Sequence, residues 1–187
     1  MGFMSNILSK TGLGALAIGI ALALTPIKAS ALTLNSSDAG GGPFSLLASS
    51  YNFQQLFANN TPGATLSFEF VNDSASTMNV VLSSATISQN LNNFFVEGAR
   101  VFWDTAGMVT DAAARQSSSN NKNFLLGAGM SDTLNVQFGN VIIQGNGPNP
   151  DIDFTVSAVP VPIPAAGLML LTALGGLGLA RRRRKVA

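Results

Sequence analysis

The stretch Ile152-Asp153-Phe154-Thr155-Val156-Ser157 alternates apolar and polar side chains without a break. In an extended chain successive side chains point to opposite faces, so Ile152, Phe154 and Val156 line one face and Asp153, Thr155 and Ser157 the other. The same period of two returns in Leu66-Ser-Phe-Glu-Phe70 and Leu134-Asn-Val-Gln-Phe138. Met78–Ile87 and Phe94–Trp103, rich in Val, Phe and Leu, are further strand candidates. Asn59-Asn-Thr-Pro-Gly63, Ser117–Asn121 and Gly145-Asn-Gly-Pro-Asn-Pro150 carry turn-forming residues between them. Short strands separated by turns predict an all-β domain over residues 44–158, an antiparallel β-sandwich or jelly roll. Two segments carry helical signals. Phe53, Leu56 and Phe57 stand at i, i+3 and i+4 behind Ser50, so Ser50–Asn59 predicts a short helix with a strand as competitor. Thr110–Gln116 suits a helical turn or two, with Asp111 and Arg115 as an i, i+4 pair. Residues 32–43 are rich in Ser and Gly, end in Gly40-Gly-Gly-Pro43, and read as a flexible lead.

The chain contains neither Cys nor His. The domain must therefore hold itself together without a disulfide. The usual zinc ligand sets and any Ser-His-Asp or Cys-His constellation are excluded. No cofactor is implied, and the chain is expected not to be an enzyme. Net charge is +1, but the charges are segregated. Between Leu32 and Ala158 lie all nine acids and only three bases, Arg100, Arg115 and Lys122, a balance of −6. That balance argues against nucleic-acid binding, which depends on clustered Lys and Arg.

Residues 1–31 read as a secretory signal. Lys10 closes a basic leader, Thr11–Thr25 is the apolar stretch, Pro26 breaks it, and Ala29-Ser-Ala31 is a small-x-small cleavage site. The mature chain is expected to start at Leu32.

Residues 159–187 form a tail in three parts. Val159-Pro-Val-Pro-Ile-Pro164 is stiffened by proline; Ala165–Ala180 is apolar apart from Thr172; Arg181-Arg-Arg-Arg-Lys185 is a run of positive charge. The prolines favour an extended strip. As a helix, 165–180 would be about 24 Å long, short for a bilayer core of about 30 Å. Each base costs about 2.5–3.5 kcal/mol at mid-membrane, so Arg181, Arg182, Arg183, Arg184 and Lys185 stop transfer and keep the C-terminus cytoplasmic.

The motif Val161-Pro162-Ile163-Pro164-Ala165, an apolar helix and a terminal Arg cluster together resemble the PEP-CTERM class of bacterial sorting tails, closest to its Val-Pro-Leu-Pro-Ala variant with Ile163 in place of Leu. The resemblance covers about 27 residues. It implies a membrane-anchored intermediate, processing near the motif by an exosortase, which is a cysteine transpeptidase-like membrane enzyme, and delivery to the cell surface or matrix. An exopolysaccharide is a further expected partner. On this reading the domain is a structural or adhesive envelope component.

Other readings rest on particular residues. Trp103 or Tyr51, if exposed, would give a sugar-stacking platform and a carbohydrate-binding module. Glu97 and Asp104, which bracket a strand with Arg100 and Trp103, would serve a carboxylate-dependent hydrolase if they met in one cleft. Asn149, Asp151 and Asp153 gather oxygen ligands of the kind calcium takes, without EF-hand spacing and with Asp153 on the polar side of an alternating strand. Asn35, Asn59 and Asn72 each begin an Asn-x-Ser/Thr pattern.

Overall fold

A computed structural model describes residues 30–161 and 172–174. The signal segment through Ala29, the motif residues Pro162 to Ala165 and the cluster Arg181 to Lys185 lie outside the described residues, as does all of the apolar run 165–180 except 172–174, which are helical. Among the described residues no helix is long and apolar enough to cross a membrane.

The described strands are β1 (Ser30–Leu34), β2 (Phe44–Ser45), β3 (Ser49–Leu56), β4 (Ala64–Val71), β5 (Met78–Ser88), β6 (Asn93–Phe95), β7 (Ala99–Trp103), β8 (Gly107–Ala112), β9 (Ser118–Leu126), β10 (Ser131–Phe138), β11 (Val141–Ile143) and β12 (Asp151–Pro160). They form one sheet of order β1-β3-β12-β5-β9, a second of order β2-β4-β10-β7-β8, and a small ribbon of β6 and β11. The all-β, sandwich-like class agrees with the alternation. The sheets are mixed, however, and not purely antiparallel: β1 pairs parallel to β3, and β2 parallel to β4. Both parallel partners are edge strands reached by a change of sheet, so no hairpin dictates their direction.

Alternation builds the core directly. Ile152, Phe154 and Val156 of β12 face inward, as do Phe68 and Phe70 of β4 and Leu134 and Val136 of β10. Phe53 stacks on Phe154 within the first sheet (ring centroids 4.8 Å apart, planes 8° apart) and meets Phe68 of the second edge-on at 5.4 Å. Such pairs add about 0.5–1.5 kcal/mol beyond burial.

Neither expected helix forms among the described residues. Within Ser50–Asn59, Tyr51 and Phe53 are buried at period two while Leu56 is 59% exposed, so the i, i+3, i+4 spacing is coincidental. The neighbours β1 and β12 satisfy the backbone of β3 on both sides, and that ladder overrides a weak helical pattern. Thr110–Gln116 holds the end of β8, paired with β7, and then a turn with Arg115 at φ 66°. Phe94–Trp103 is two strands, β6 and β7, divided by a turn at Gly98. Most of Ser117–Asn121, read as a turn, belongs to β9. The lead 32–43 is ordered: Leu34 of β1 is buried, and Asn35 and Asp38 form a capping box around the 3-10 turn Ser36–Asp38.

Both described chain ends emerge from one end of the sandwich. Ser30 pairs with Ser49 at the start of β3, and Pro160 pairs with Met78 at the start of β5. Beyond Pro160, the Val161 amide donates to Thr77 O at 3.0 Å. At this terminal end also lie Asn72 and the turn 127–130; at the far end lie the β6–β11 ribbon, Glu97, Gly139 and Asp151.

Candidate functional site: a polar trough at the far end

Strand register sets Thr65, Gln137, Arg100 and Asp111 in one row across the second sheet. Gln137 pairs with Thr65 on one side and Arg100 on the other, and Arg100 pairs with Asp111. Their strand neighbours Val136, Val101 and Ala112 are buried, so by the pleat this row faces outward. Arg100 Nε donates to Gln137 Oε1 at 2.7 Å, and the guanidinium lies 5.5 Å from the centroid of the half-buried Phe102 ring. Glu97, just before β7, lies beside Gly139 at the far-end side of the row.

The row borders two concavities that share Glu97, Gln137, Phe138 and Gly139, of about 350 and 390 Å³. The first reaches Arg100 and Asp111; the second reaches Thr65 and Asn140. Their floor is backbone in close approach. Gly98 has φ 77°, and a Cβ there would fall 2.2 Å from Ala112 O; a Cβ on Gly139 would fall 2.7 Å from Glu97 N. Both positions therefore require glycine. The Gly139 amide donates to Gly98 O at 3.0 Å, and the Gly63 amide to Asn140 Oδ1 at 2.7 Å.

The residues singled out from the sequence fare differently. Glu97 is in the trough. Asp104 sits at the other end of β7, whose five residues span about 17 Å, and accepts a bond from Asn135 Nδ2 at 2.7 Å. Two glycosidase carboxylates stand about 5–9.5 Å apart, so this pair does not form a hydrolytic site. Trp103 is 1% exposed, packed edge-on against Phe70 and Phe124, with a buried Nε1 that has no partner. Tyr51 is buried too; its hydroxyl donates to Ser45 O at 2.8 Å, and burial, then the charge of Asp73, raises its pKa. Neither is a sugar platform.

Asp151 and Asp153 stand side by side on the outer face of β12, each with one buried carboxylate oxygen lacking a partner. Burial, then repulsion from Asp151, raises the Asp153 pKa. Asn149 precedes them in the loop, and among the described residues no group of three or more acidic, His or Cys side chains could hold a metal ion. Asn72 is buried and its amide is fully engaged, so that Asn-x-Ser pattern is a structural hub and not a glycan acceptor.

Asp111, Gln137, Thr65 and Phe102 escaped the sequence reading. Asp111 carried a helical signal, and the other three are ordinary members of alternating strands. Only cross-strand register brings them together.

No protein-family model matches the chain, and no curated protein matches it.

Proposed function

We propose that the chain is an exported bacterial protein whose sandwich serves as a structural or adhesive component of the cell surface or extracellular matrix. A signal over residues 1–31, whose last two residues Ser30 and Ala31 fall in β1, directs export and is cleaved after Ala31, leaving Leu32–Leu34 of β1 paired with Tyr51–Phe53. A membrane helix over 165–180 and the cluster Arg181–Lys185 hold an intermediate with its C-terminus cytoplasmic. An exosortase-type enzyme then processes the tail at Val161–Ala165.

The observation that carries this reading is the polarity of the domain. The chain enters and leaves at one end, and Val161, the first motif residue, is still hydrogen-bonded to the sheet. Three residues then separate it from Ala165, at most about 14 Å of extended chain from one Cα to the other. A span starting at Ala165 would hold the terminal end close to the membrane and turn the far end outward. The sandwich suits display, since its loops are tied down without any bond that export would have to oxidise.

Two tail variants in the native host test the reading. Neutralising Arg181–Lys185 should release unprocessed protein into the medium. Replacing Pro162 and Pro164 with Ala should leave insertion intact and make full-length precursor accumulate in the membrane. Wild-type processing of the proline variant, read by immunoblot, would reduce the tail to a plain anchor.

A further inference from the structure

We infer that the far-end trough is a binding site for an uncharged polyhydroxylated chain, a neutral glycan. The inference rests on the display reading only for the direction in which the trough faces; its chemistry stands on the residues.

The lining excludes the other common ligand classes. Small-molecule pockets of 300–1,000 Å³ are mostly apolar, whereas polar and charged groups dominate here. An apolar ligand would strip water from Glu97, Arg100 and Asp111 without compensation. A polyanion would meet two carboxylates against one guanidinium, on a domain of net charge −6. A peptide in an extended groove is selected by pockets for alternate side chains, and the trough offers no such apolar pockets.

What the trough offers is hydrogen-bonding capacity in both directions. Glu97 and Asp111 accept from hydroxyls. Arg100 spends its Nε on Gln137 and keeps its terminal nitrogens as donors; Gln137 spends its Oε1 and keeps its Nε2. That mutual bond and the Phe102 ring under the guanidinium fix the orientation of both side chains before any ligand arrives, which lowers the entropic cost of binding. Two open concavities of nearly equal size, sharing one wall, suit successive units of a repeating chain.

The test is calorimetry on the full chain in a detergent without a sugar head group. The probes are cello-, malto- and manno-oligosaccharides, with oligogalacturonate as the charged comparison. At least one neutral series should bind with an affinity that salt does not change. Arg100→Ala and Gln137→Ala should each weaken it by about tenfold or more, the effect of removing a bond of about 1.4 kcal/mol. Lys122→Ala, on the first sheet, should bind as wild type. Trp103 fluorescence and a melting curve on each variant show that the fold persists. Binding of none of the three neutral series, binding of oligogalacturonate alone, or binding that survives both substitutions would overturn the inference. Because the assay involves no processing, it can fail while the tail variants sort as expected, and the reverse.

Discussion

The two ends of the sandwich are braced differently. At the terminal end one buried amide closes the structure: Asn72 Nδ2 reaches Leu126 O at 2.8 Å, Ser76 O at 2.9 Å and Gly127 O at 3.0 Å. Around it Leu125, Met130 and Val159 are left exposed. At the far end two amides work together. Asn93 donates to Gly147 O and Pro148 O, each at 3.0 Å, and accepts from the amides of Gln144 and Gly145. Gln89 donates to Ala113 O at 2.8 Å and Gln116 O at 2.6 Å and accepts from the Phe95 amide. Beneath them Phe57, Phe95 and Phe138 pack together at the far end of the common core, with centroids 4.5–5.8 Å apart. In a chain without cysteine, buried side-chain amides tie loops to strands as disulfides do elsewhere. The terminal end has a second tie of another kind, the buried Asp132 carboxylate, which accepts from the Thr105 and Ala106 amides at 3.0 and 3.2 Å, whereas the end that carries the trough is tied by two amides. A binding site needs such support, because side chains left loose spend affinity on being ordered.

The sharpest way to break this contrast is to hollow out the far end. Phe95→Ala removes a fully buried ring from the aromatic cluster and should cost about 3–5 kcal/mol in denaturant unfolding. It should also loosen the trough, since Phe138, which lines both concavities, packs on that ring. A loss below about 1 kcal/mol would mean that the rest of the common core closes over the missing ring.

Next come the amides. Asn93→Ala strands several part-buried backbone groups at once and should cost about 3 kcal/mol; Asn72→Ala strands fewer, one of them fully buried, and should cost about 2 kcal/mol. Their signatures in hydrogen exchange should differ more than their totals. Asn93→Ala should raise exchange over residues 141–149, and Asn72→Ala over 72–77 and 126–131, with no spread to the opposite end. Exchange rising at both ends in either variant would show one cooperative unit in place of two separately braced ends.

The smallest effect concerns the outer face of the first sheet. With its pKa raised in the folded domain, Asp153 binds a proton more tightly there than in the unfolded chain. Its contribution is therefore favourable below the unfolded value of about 3.9 and is lost as pH rises through the folded value. Above that value the ionised carboxyl is a burden. Asp153→Asn should raise the melting temperature at neutral pH, by less than about 1 kcal/mol in stability because solvent screens the site. The gain should vanish as the pH is lowered toward 4. An equal gain at every pH would assign the effect to shape and not to charge.

How far the strands were legible depended on their regularity. Leu66–Phe70, Leu134–Phe138 and Ile152–Ser157 keep one phase throughout, and each puts its apolar residues inward as the pattern predicts. β5 does not: Met78, Val80 and Leu82 are buried, then Ala85 and Ile87, because a bulge at Ser83–Ser84 moves the chain by one residue and reverses its faces. Ser84 takes φ 53° there, and Asn121 Oδ1 accepts its amide at 2.8 Å. The broken phase is visible in the residues, but the partner that supports it lies 37 positions away.

The sequence by itself determined that the domain is all-β, which side of the regular strands turns inward, and that neither disulfide nor histidine takes part. Each of these is a property of composition or of neighbouring residues, since alternation of side chains is local to an extended chain. Tertiary structure alone decided that Tyr51 and Phe53 lie in a strand, that Trp103 is buried, and that Thr65, Gln137, Arg100 and Asp111 share a row. Those facts depend on register between segments far apart in the chain, where a slip of one residue turns every side chain to the opposite face.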